Sequence, residues 1–151
     1  MKKSQRFFTV ALPVVIASGC GSNQDTFLSP LPAVLTLMNV PTGCPTSESA
    51  ADLYTTVVAN TCAVANCHGQ NGNAFLLQNP ADLRAQWVNK PSKLYAAVAQ
   101  PFVTPNDVNK SWIMYKLTGS QGPYGSKMPS AGALTSDQVC KFVAWINSGA
   151  N

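Results

Sequence analysis

Residues 60–72, NTCAVANCHGQNG, hold two cysteines five positions apart and, directly after the second, the only histidine of the chain. No other stretch constrains the fold as much. Cys62, Cys67 and His68 are tied together through the backbone, so whatever they bind jointly is bound locally, within a helix end and one loop. Ala63, Val64, Ala65 and Asn66 separate the thiols and include no proline or bulky ring, so they can bulge outward and let the sulfurs approach. A single histidine excludes ligation by two imidazoles of the same chain. A tetrahedral metal site would need further His or Cys ligands that the sequence does not supply. Hydrolytic chemistry is disfavoured as well: the lone histidine adjoins the cysteine pair, Asp and Glu number six together, and neither G-x-S-x-G nor a phosphate-binding loop occurs.

The N-terminus places these cysteines in an oxidising compartment. MKKSQRF is a basic start and FTVALPVVIASG a short apolar run ending in small residues, the anatomy of a secretory signal over residues 1–19 and too short to span a membrane. The run ends in ASGC, which resembles the lipobox of bacterial lipoproteins, although Ala17 stands where that family prefers leucine. The resemblance implies that Cys20 is lipidated and becomes the mature N-terminus. It further implies anchoring to a bacterial membrane on the periplasmic side. Gly21 is not an inner-membrane retention residue in the best-known sorting rule, which favours the outer membrane. Ordinary signal cleavage nearby is the rival reading. Removing Lys2, Lys3 and Arg6 lowers the formal charge from +4 to +1. No basic cluster survives, which argues against a nucleic-acid partner.

Residues 20–44 contain three prolines and no helical period, and read as a flexible tether with a short extended piece at AVLTLMNV. A helix is expected over 47–60, capped by Thr46 or Ser47, with Glu48 and Asp52 near its positive end and Leu53, Val57, Tyr54 and Val58 on one face. A second is expected over 80–88 with Asn79 as cap and Pro80 at the first position. A third spans 110–117 and stops at Gly119. Four glycines and two prolines make 119–133 a loop. The last helix has the clearest signals. Thr135 and Gln138 form a capping box, Leu134 and Val139 a hydrophobic staple, and Val139, Phe142, Val143 and Ile146 recur at helical spacing until Gly149. The fold class is therefore all-α.

Cysteine pairs followed at once by histidine have a specific use. Two thiols add to the vinyl groups of haem as thioethers, and the adjoining neutral imidazole becomes an axial ligand. The usual spacing is C-x-x-C-H; here it is C-x-x-x-x-C-H. With one histidine available, a methionine thioether is a suitable second ligand. Met38 lies in the tether and Met114 inside an apolar helix, where methionine more often fills a core. Met128 stands in the Gly/Pro-rich loop directly before Pro129, sixty residues after His68, and is the candidate. The competing reading of the same residues is a Cys62–Cys67 disulfide beside an exposed His68, with Met128 as loop filler. Trp112, Tyr115, Phe142 and Trp145 read as core.

CAVANCHG resembles the haem-attachment site of class I c-type cytochromes in a wider-spaced variant. KSWIMYKLTG is similar to the helix before the sixth-ligand loop of cytochrome-like bacterial lipoproteins. GSKMPSAGALTSDQVCKFVAWINSGA is similar to their methionine loop and C-terminal helix, closing on Trp145, Ile146, Gly149 and Ala150. The resemblance covers about residues 47–151. It implies a small cytochrome c-like domain over 45–151, with N- and C-terminal helices crossing beside one covalent haem c. The thioethers would be at Cys62 and Cys67, with His68 and Met128 ligating the iron. A Cys44–Cys140 disulfide follows from those crossing helices; the rival pairings of Cys44 with Cys62 or Cys67 would preclude two thioethers. The implied role is a monomeric electron carrier serving an unidentified redox partner protein or a separate oxidoreductase, not itself an enzyme. The alternative is a haem-free, disulfide-stabilised structural or binding lipoprotein on a degenerate scaffold. Lys90, Lys93, Lys116 and Lys127 are either a docking rim or a solvated surface.

Overall fold

Helix formation begins at Ser49 in the computed structural model, which describes residues 38–72, 75–91 and 100–151. Ser49 is extended and its hydroxyl accepts the Asp52 N–H at 3.0 Å. This corrects the expected cap at Thr46 or Ser47. Glu48 falls just outside the helix and instead meets Lys141 of the last helix at 2.7 Å, a contact invisible to local cap preferences. The first helix runs as α1 (Ala50–Leu53), a π-helical turn (Tyr54–Val58) and α2 (Ala59–Thr61). Leu53, Val57 and Val58 are buried on its inner face.

Helix α3 (Pro80–Trp87) has Asn79 as its cap and proline at its start; Asn79 accepts from Ala81 N–H, while the Asp82 carboxylate accepts the Asn79 N–H. Val88 has already turned extended and pairs in an isolated parallel bridge with Val103. Helix α4 (Trp112–Thr118) begins two residues later than expected and has no side-chain cap. Its first N–H groups go instead to the carbonyls of Pro101 and Phe102, at 3.0 and 2.9 Å. Segment 101–103 thus bonds to the end of α3 on one side and the start of α4 on the other. Gly119, left-handed, closes α4.

Helix α5 (Ser136–Asn147) carries the reciprocal capping box: Thr135 Oγ1 accepts the Gln138 N–H and Gln138 Oε1 accepts the Thr135 N–H. Replacing Thr135 with alanine is expected to lower stability by about 1 kcal/mol, with serine close to neutral. Urea denaturation midpoints of the two variants check this. Val139, Phe142, Val143 and Ile146 are all buried, as their spacing requires.

The core gathers on Trp87. Its indole lies 5.7 Å from Phe102, 6.2 Å from Phe75, 6.3 Å from Phe142 and 6.4 Å from Trp145, joining the loop after the histidine to α5. Trp112 and Met114 are buried as well, while Tyr115 is only half-buried and donates its hydroxyl to the Asn109 carbonyl. Cys44 is disulfide-bonded to Cys140 across 96 positions of sequence. Met38, Val40 and Cys44 pack on the core, so the expected flexible tether does not extend through residue 44. Residues 1–37, with the expected signal segment, Cys20 and most of AVLTLMNV, lie outside the described residues, as does Lys93.

Helices make up 38% of the described residues, so irregular segments carry much of the chain and must find their hydrogen bonds individually. Among the described residues there is no strand, and no helix long and apolar enough to cross a membrane.

Candidate functional site

The cysteine–histidine segment forms a tight loop at the end of α2. The Val58 carbonyl accepts from both Cys62 and Ala63 N–H, which ends the helix. The chain then bulges: Val64, Ala65 and Asn66 are exposed, and Asn66 takes a left-handed φ of 65°. Val64's carbonyl accepts from Cys67 and Gly69 N–H, and the His68 N–H returns to the Cys62 carbonyl at 3.0 Å. The four intervening residues are thereby looped out, and Cys62 and His68 are joined backbone to backbone.

Two glycines make this return geometrically feasible. A Cβ on Gly69 would sit 2.4 Å from the Ala63 oxygen, and one on Gly72 would sit 2.0 Å from the Cys67 oxygen. Neither space admits a methyl group.

His68 is half-buried and its Nδ1 lies 3.3 Å from the Phe75 carbonyl oxygen. A carbonyl only accepts, so Nδ1 carries the proton. In the neutral ring Nε2 then carries the lone pair. Burial lowers the imidazole's pKa from the ordinary histidine value, opposed in part by the Phe75 carbonyl, and so favours the neutral form. The Phe75 ring stacks on the imidazole at 4.5 Å and 14°. The Leu77 N–H donates to the His68 carbonyl at 2.7 Å. Three residues, 75–77, therefore hold the histidine through ring, carbonyl and amide together. Sequence reasoning missed this segment because it has no periodicity and follows a glycine-containing loop.

The two cysteines differ. Cys62 is a free thiol; burial pushes its pKa up, countered in part by the Thr61 hydroxyl 3.4 Å away. Cys67 is disulfide-bonded. Met128 is half-buried against the core, and its N–H donates to the Lys116 carbonyl at 2.9 Å, fastening its loop to α4. Lys116 itself cannot belong to an exposed docking rim: it is buried, and burial pushes its pKa down to about 8. Lys90 is exposed and Lys127 half-exposed.

The donor set matches haem attachment at His68, which presents a neutral nitrogen lone pair, and at Cys62, which presents a thiol. Cys67 matches only once its disulfide is reduced. Phe75, stacked on His68, also packs on Phe102 and Trp87, so the histidine adjoins the aromatic core, and the Trp87 indole N–H is buried without a partner among the described residues. No group of three or more His, Cys, Asp or Glu side chains capable of holding a bare metal ion occurs among the described residues. No protein-family model, curated protein or solved structure matches the chain.

Proposed function

We propose that this chain is a mono-haem electron-transfer lipoprotein of the c-type cytochrome kind, exported and anchored through Cys20 with its domain facing the periplasm. The observation that carries the reading is the sole histidine, directly after a cysteine pair, with its Nδ1 proton engaged by a backbone carbonyl. That hydrogen bond fixes the tautomer, orients the ring and raises the basicity of Nε2, which is what a metal-ligating histidine requires of its surroundings. Cys62 and Cys67 would hold haem c by thioethers, His68 would ligate through Nε2, and Met128 would supply the second axial ligand. When bound, haem supplies a one-electron iron couple. The residues' own work is to hold the imidazole and keep water from it with Phe75 and its neighbours, while Val64 and Leu76 present an exposed apolar surface next to the loop. The redox partner would be a protein docking there.

The disulfide at Cys67 favours a second reading: a haem-free, disulfide-stabilised structural or binding protein, with His68 packed in a structural role. One preparation separates the two. The full chain is matured in a host with a cytochrome c assembly system, its absorption spectrum recorded, and the protein extracted with acidified organic solvent. Haem that stays on the polypeptide is the expected result, with Met128→Ala abolishing the far-red thioether band. Met114→Leu, a near-isosteric change in a buried helix, should leave the band intact and cost under about 1.5 kcal/mol. Colourless protein, or haem that leaves with the solvent, would establish the disulfide reading instead.

A further inference from the structure

We infer that Tyr54 is a positioning residue for the His68 imidazole, acting through the Phe75–Leu77 segment; this rests on the reading of His68 as an iron ligand. Tyr54 opens the π-helical turn, and its hydroxyl donates to the Leu77 carbonyl at 3.2 Å across 23 positions of sequence. Segment 75–77 belongs to no helix or strand, so no ladder of hydrogen bonds keeps it in register. It is held at both ends by His68 itself, through Phe75 O and Leu77 N–H. The remaining supports are the buried Leu77 side chain, the Phe75 ring among its aromatic neighbours, and the Tyr54 hydroxyl.

Tyr54 is therefore the side chain that hydrogen-bonds this segment's backbone to the first helix, the same helix that ends at Cys62. It couples the cysteine side of the site to the carbonyl that orders the histidine. The Nδ1 contact is already long at 3.3 Å, so a shift of a few tenths of an ångström weakens it strongly. A weaker acceptor at Nδ1 makes the imidazole a poorer donor at Nε2. Oxidised iron, which draws more on that donation, then loses more than reduced iron, and the reduction potential rises.

The test is Tyr54→Phe, which removes one hydroxyl and keeps the ring. Because His68 is the only histidine, the imidazole ¹⁵N signals of the chain belong to it alone. In haem-free full-length protein, the Nδ1–H to Nε2–H tautomer ratio is expected to fall by about threefold to tenfold, the equivalent of one modest hydrogen bond. In haem-loaded protein, covalent haem content is expected to stay at the wild-type level while the midpoint potential moves upward. A lowered melting temperature with both readouts unchanged assigns Tyr54 a purely structural role and overturns the inference. If wild-type protein carries no haem, the proposed function falls by that result, and the tautomer ratio alone decides whether Tyr54 positions His68.

Discussion

Replacing Cys44 and Cys140 together by alanine is expected to lower stability by about 4 to 5 kcal/mol and the melting temperature by roughly 15–30 °C. The bond spans 96 positions, most of the stretch from residue 38 to the C-terminus, so its loss releases a large loop in the unfolded state. A typical domain has only about 5–15 kcal/mol in total. The effect is bounded below by what remains. Lys141 still meets Glu48 at 2.7 Å, and the Ser148 hydroxyl still reaches the Glu48 carbonyl at 3.3 Å, so the segment before α1 keeps two links to α5. These are partly exposed polar contacts, each contributing about 1 kcal/mol or less, and they do not replace the covalent bond. The double variant is the right instrument because a reductant would also open the disulfide at Cys67. Thermal melts decide: a shift below about 5 °C would mean that the unfolded chain is already restrained by other means.

The same bond explains part of what could be read from the sequence and what could not. Helix α5 was legible to the residue at its start, since Thr135 and Gln138 satisfy each other locally and the buried positions follow one period. Asn79-Pro80 fixed the start of α3 for the same reason. At the first helix the expected cap is Thr46 or Ser47, whereas Ser49 caps it, and local preference alone does not lead there. The choice is made where Glu48 finds Lys141 and Ser148 finds the Glu48 carbonyl, ninety or more positions away. Lys116 shows a signal overlooked: Trp112, Ile113, Met114 and Leu117 surround it on a seven-residue helix, and a helix apolar on nearly every side is buried. In the candidate site, the cysteine–histidine cluster was visible as spacing. The groups that orient it were not. Tyr54 reads as one more apolar face residue, and only its hydroxyl contact with Leu77 distinguishes it.

Gly72→Ala is expected to cost about 3 kcal/mol or more and to disturb His68 as well. The added Cβ would lie 2.0 Å from the Cys67 carbonyl oxygen, 2.9 Å from its carbon and 3.1 Å from the Gly69 oxygen. All three obstacles are backbone, so no side chain can rotate away, and relief requires the loop to open. Opening it breaks the Gly72 N–H to Gly69 carbonyl bond and displaces Cys67, the residue before the histidine. That places the substitution at the upper end of overpacking effects. Gly43 and Gly132 provide the comparison. Both have left-handed backbones, φ of 77° and 84°, yet nothing lies within 4 Å of a Cβ at either. Alanine there meets only the conformational penalty, about 1–2 kcal/mol. Urea denaturation of the three variants should rank Gly72→Ala as the most destabilised, and the His68 ¹⁵N tautomer signal should move in that variant alone. An unshifted signal in Gly72→Ala, with a stability loss no larger than in Gly132→Ala, would show that the loop relaxes without moving the histidine. The steric closeness of residues 67 and 72 would then have no part in ordering the site.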